Sequence, residues 1–150
     1  EMQEAGVAGY RFVAVMGGET AMGGKEVVVL MEKRAGEAAT FEYRLLATNR
    51  TSTLQKELQE AADAGFVAVG QTVFESLFGG KETASILQRK SGVPRTERYD
   101  YKLVATSKTS TLQKELQQAA EQGYEAIGMT VGSTAFGGAE LVVITRKSLK

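Results

Sequence analysis

TSTLQKELQ stands at Thr51–Gln59 and again, letter for letter, at Thr109–Gln117. Nine identical residues make the chain a tandem repeat, and the rest is read by laying the copies over one another. Tyr43–Lys90 aligns with Tyr101–Lys147, the copies lying 58 residues apart with one residue deleted near the end. A third copy is found at the start of the sequence. Glu1–Arg34 aligns without gaps with Glu57–Lys90, MQEAGVAGY over LQEAADAGF and MGGKE over FGGKE. This first copy begins inside its helix, without the strand and helix start of the other two.

Each full copy reads strand, helix, strand, strand. In the opening strand FEYRLLAT, alternation sets Phe41, Tyr43, Leu45 and Ala47 on one face. Glu42, Arg44, Leu46 and Thr48 take the other, which predicts a wet face with Leu46 out of pattern. YDYKLVAT at Tyr99–Thr106 repeats the pattern. In the helix, Leu54, Leu58, Ala61 and Ala62 form an apolar stripe, as do Leu112, Leu116, Ala119 and Ala120. Ser52 with Gln55, and Ser110 with Gln113, read as capping boxes: the hydroxyl accepts from a backbone N–H and the glutamine reaches back. Gly65 and Gly123 mark the helix stops, and Gly9 holds the same place in the first copy.

The second strands are YRFVAVM (Tyr10–Met16), FVAVGQTVF (Phe66–Phe74) and YEAIGMTV (Tyr124–Val131). The third strands open at Glu26, Glu82 and Glu140. Each follows a Gly-Gly pair suited to a hairpin turn: Gly23–Gly24, Gly79–Gly80, Gly137–Gly138. AGEAA (Ala35–Ala39) and SGVPRTER (Ser91–Arg98) are short linkers, so the units should pack together. The expected fold is α+β: tandem β-α-β-β units with antiparallel-type sheets and one helix each. The units are a truncated 1–34, then 41–90 and 99–150. One helix covers one sheet face, and a unit of about 50 residues is marginal alone. The other face or an edge should therefore be buried between units, through continuous sheets or a pseudo-symmetric cluster.

The strand–helix–hairpin order, the aromatic opening strand, the AADAGF and AAEQGY helix ends and the final apolar strand ending in Arg-Lys resemble small bacterial β-α-β-β domains of unknown function. The resemblance spans the second and third units fully and the first from mid-helix. It implies a fold and no functional residue. The Gly-Gly hairpin and the tandem fusion depart from that pattern.

Composition removes whole classes of function. Acidic and basic residues balance at 18 each, so no global field draws nucleic acid. Without Cys there is no thiolate nucleophile or disulfide, and without His the commonest general base and metal ligand is missing. No metal and no cofactor is expected. No apolar run approaches the roughly 20 residues of a membrane span. Lack of Cys is compatible with an exported bacterial protein without demanding one; the expected location is periplasmic or extracellular, with the cytoplasm as the alternative.

Four features could carry function. The loops leading into the helices, ATNRTST and ATSKTST, join hydroxyls and a cation to a helix N-terminus, which suits a small anion. Its candidate ligands are Arg50, Ser52, Thr53, Lys108, Ser110 and Thr111; capping alone also explains the hydroxyls. Met22, Phe78 and Phe136 stand just before the Gly-Gly pairs and are candidates for an interaction surface, or they fold back into the core. Gln55, Lys56, Glu57 and Gln59 recur as Gln113, Lys114, Glu115 and Gln117, either as a partner surface shown twice or as the mark of a recent duplication. Glu26, Glu82 and Glu140 are strand-end carboxylates that could converge only about a pseudo-symmetry axis.

The expected function is a non-enzymatic structural or protein-interaction repeat, binding a protein partner or itself. The first unit, lacking a strand, would leave an open edge that another subunit fills head to tail, unless residues upstream supply it. The alternative is a module binding a small anionic ligand. An enzyme would have to work through carboxylates or through Tyr43 and Tyr101.

Overall fold

The computed structural model describes residues 1–19, 25–75, 81–94, 97–133 and 138–149. Unit 1 holds α1 (Met2–Val7), β1 (Arg11–Glu19) and β2 (Lys25–Glu32). Unit 2 holds β3 (Phe41–Thr48), α2 (Thr51–Asp63), β4 (Val67–Glu75) and β5 (Lys81–Lys90). Unit 3 repeats it as β6 (Arg98–Thr106), α3 (Thr109–Glu121), β7 (Glu125–Ser133) and β8 (Ala139–Leu149). The fold is α+β, built of repeated units with antiparallel sheets. Among the described residues no helix is long and apolar enough to cross a membrane.

All three helices stop the same way. The N–H groups of Gly65 and Phe66 bond to the carbonyls of Ala62 and Ala61, and Gly123 with Tyr124 and Gly9 with Tyr10 repeat the arrangement. Each of these glycines sits near φ +88, a conformation other L residues adopt only at a cost. The chain therefore leaves every helix at one angle and enters the second strand on an aromatic residue.

Within a unit the third strand lies in the middle: β3-β5-β4 and β6-β8-β7. Tyr43 pairs with Gln88 and Tyr101 with Arg146, so Gln88 and Arg146 are equivalent, as are Arg89 and Lys147. The apparent deletion in the alignment therefore does not exist; the Arg-Lys ends match as letters and not as positions. Among the described residues of unit 1, β2 pairs with β1 alone.

The three sheets neither fuse nor gather round an axis. They stack, with a helix between each pair. Leu54, Leu58, Ala61 and Ala62 of α2 pack on Phe66, Ala68 and Leu87 of their own unit and on Tyr101 and Ile144 of the next. Met2 of α1 joins Phe12, Val15, Val29 and Met31 of unit 1 to Phe41, Tyr43 and Ile86 of unit 2. The last helix, α3, covers Val104 and Val143. The face of β3 read as wet is thus the one beneath α2: Leu46 packs into that core, and Glu42 bonds Arg89 at 2.5 Å. Burial on both faces explains why LVVIT in β8 is apolar without alternation.

Candidate functional site

Gln55 does not close a capping box. The N-caps of α2 and α3 are Arg50 and Lys108, and neither they nor the serines cap through a side chain. Gln55 and Gln59 point away from their own unit, onto β6 of the next. Gln55 accepts from the N–H of Leu103 at 2.6 Å and donates to the carbonyl of Tyr101 at 2.5 Å. Gln59 accepts from the N–H of Tyr101 at 3.0 Å and donates to the carbonyl of Tyr99 at 3.4 Å. Each amide thus bridges a carbonyl and the N–H two residues on, as a neighbouring strand would. The spacing fits because four helical residues rise about 6 Å and two strand residues about 6.8 Å. Side chains of α2 satisfy the edge of β6 that β8 does not pair.

The same contact recurs one layer earlier. Gln3 of α1, the counterpart of Gln59, accepts from the N–H of Tyr43 at 3.0 Å. A second link runs the other way, from the opening strand back to the preceding unit. The Tyr101 hydroxyl accepts from the N–H of Ala68, beside the β4 bulge, at 2.9 Å. The Tyr43 hydroxyl lies 3.0 Å from the carbonyl of Tyr10 and from Oε1 of Gln88. Burial raises the pKa of both phenols, the reverse of what a tyrosine base or nucleophile needs. Their geometry is that of fasteners between layers.

Second strands complete the contact. The N–H of Gly17 donates to Thr72 Oγ1 at 2.9 Å, and Nε2 of Gln71 donates to Thr130 Oγ1 at 3.0 Å. Gly17 and Gly70 leave room for this approach: a Cβ on Gly17 would lie 2.3 Å from the carbonyl oxygen of Val73, and one on Gly70 as close to the Phe12 ring.

In unit 3 the presenting surface is the same and nothing described covers it. Gln113 and Gln117 are exposed, and Gln117 turns back to Glu121 of its own helix. Ala120 is exposed where Ala62 is buried, and Leu116 is half-buried where Leu58 is fully so. Replacing both Gln55 and Gln59 with alanine is expected to destabilise the protein by about 2 kcal/mol, because backbone groups of β6 lose their partners. The same pair of changes at Gln113 and Gln117 should stay within about 0.5 kcal/mol in dilute solution. Urea unfolding of the two double variants compares helices that share TSTLQKELQ, differ at the exposed pairs Glu60/Gln118 and Asp63/Glu121, and differ in what lies against them.

The anion candidates fall into two separate loops. Arg50, Ser52, Lys108 and Ser110 are exposed, and Thr53 and Thr111 half-buried. A groove of about 540 Å³ beside Thr51, Ser52 and Gln55 also holds Lys102 and Glu115, but neither Arg50 nor Lys108. A small recess of about 10 Å³ touches Arg50 and brings Glu140 with it, an acid where an anion would sit. Met22, Phe78 and Phe136 lie outside the described residues. Glu26, Glu82 and Glu140 belong to three different sheets, and among the described residues no three acidic side chains gather as a metal site. Glu32 is held below the usual carboxylate range by its hydrogen bond from Arg11. Its partners and exposure make it a surface ion pair.

No protein-family model, curated protein or solved structure matches the chain.

Proposed function

We propose that the protein is a non-enzymatic structural and protein-interaction repeat, whose working surface is the outer face of the β1–β2 sheet. One observation carries this. Val28 and Leu30 are 54% and 60% exposed, whereas Ala84 and Ile86, then Val142 and Ile144, at the same positions of units 2 and 3, are at most 2% exposed. In those units the preceding layer covers them. Val13 and Met16 add to the same exposed apolar area. The face is apolar and exposed, as a surface that receives a further layer would be.

Sedimentation velocity over a concentration series, up to about 1 mM, tests the reading. Association that rises with concentration and is weakened in Leu30→Lys is the expected outcome. A protein that stays monomeric throughout, with Leu30→Lys indistinguishable from wild type, would contradict it.

A further inference from the structure

We infer that the layer received by this face is α3 of a second copy, so that the protein assembles head to tail. The inference rests on the reading of the β1–β2 face as an interaction surface and names its partner. The two outer faces of the stack carry the helix and second-strand positions through which one layer twice meets the next inside the chain; the opening strands β3 and β6, which take the glutamine and tyrosine bonds there, have no counterpart among the described residues of unit 1. On the presenting side, helix positions Gln3 and Gly6 in α1, then Gln59 and Ala62 in α2, bear on the next sheet. Their counterparts in α3 are Gln117 and Ala120, both exposed. Second-strand positions follow suit. Val15 packs in the core shared by units 1 and 2, and Gln71 reaches Thr130 of unit 3. The counterpart of both is Met129, exposed beside Val131.

On the receiving side, Thr72 and Thr130 take those contacts. Their counterpart is Met16, exposed with Val28 and Leu30. Apolar thus faces apolar on both halves: Met129, Val131, Leu116 and Ala120 against Met16, Val28 and Leu30. The two patches differ, so the contact is heterologous. Repeating it gives a filament or a closed ring.

Complementation between two blocked variants tests this in the full-length chain. Ala120→Arg obstructs the α3 face and Leu30→Lys the sheet face. Both sites are exposed, so both variants should fold, as circular dichroism will verify. Met129→Lys and Val28→Lys obstruct the same two faces from strands should either first choice misfold. Wild type is expected to associate with concentration, and each variant alone to lose this by roughly tenfold or more in dissociation constant. An equimolar mixture should form a one-to-one dimer and stop there, because one good face remains on each partner. If wild type associates but the mixture stays monomeric, or if Leu30→Lys breaks association while Ala120→Arg leaves it intact, head-to-tail assembly is wrong and the β1–β2 face pairs otherwise. A wild type that never associates overturns both this inference and the reading beneath it.

Discussion

Replacing Tyr101 with alanine is expected to destabilise the protein by about 3–5 kcal/mol, the cost of emptying the site of a large buried aromatic ring. Tyr101 is 2% exposed and packs in the α2 core. Its backbone holds both glutamine amides, and its hydroxyl accepts the N–H of Ala68. Removing it strips the fastening between two layers while leaving each layer's own sheet paired. Guanidinium unfolding should therefore lose midpoint and also lose cooperativity, with unit 3 releasing first. Tyr101→Phe keeps the ring and leaves the Ala68 N–H without its acceptor, for about 1–3 kcal/mol. pH separates the two effects. Burial raises the folded-state pKa of Tyr101 above the ordinary 10.0. Its stabilising contribution is complete below about pH 10 and is lost as the pH rises through the folded value. Stability should then fall by up to about 1.4 kcal/mol per pH unit for this one group, and Tyr101→Phe should show a shallower alkaline slope. An unchanged slope would remove the buried phenol from the account.

Leu58→Ala should cost about 2–5 kcal/mol and Leu116→Ala under about 2. The two leucines stand at the same place in the same nine-residue stretch of their helices, so helix propensity and the nearest neighbours cancel between them. What differs is the second sheet. Leu58 is fully buried between its own sheet and Tyr101 with Ile144 of the next, while Leu116 packs on one sheet only. Thermal unfolding of the two variants at low concentration measures the contribution of the outer layer directly. Equal losses would mean that the layers are not energetically joined through the helix.

These two comparisons also mark how far the sequence could be read. Repeats, element order and the glycine stops were legible, because each depends on a local signal: a periodicity, a turn residue, an identical stretch. Gln55 shows where local reasoning failed. Ser52 three residues before a glutamine satisfies the capping-box pattern, yet the structure sends the amide to a strand 48 residues away. A signal was present. Gln55 and Gln59 lie four apart on one helix face, and in two copies they do not change, whereas ordinary surface positions such as Glu60 and Gln118 do. Reading that pair as a ladder required knowing that a strand edge lay opposite, and no residue near Gln55 says so.

The wet face assigned to β3 failed for a related reason. Glu42 and Arg44 look solvated in a single strand, but Arg44 and Arg89 lay their guanidinium groups over the ring of Phe66, at 4.3 and 4.7 Å from its centre. Arginine covers apolar surface with its charge still hydrated, and hydropathy alternation cannot register this. The deletion inferred near Arg146 failed because letters were matched where hydrogen-bond register decides position.

By itself the sequence determined two full β-α-β-β units, each with an aromatic opening strand, and a first unit that begins mid-helix, every helix being ended by a left-handed glycine. It also determined that no thiol or imidazole chemistry is available. Only the tertiary structure decided that sheets and helices alternate in a stack, that helical glutamines stand in for a missing strand, and that the same residues are buried in one unit and bare in the next. The division has a physical cause. Helices, turns and strand alternation follow from interactions within a few residues. Stacking depends on surfaces brought together from units some 58 residues apart, where identical sequences acquire different neighbours.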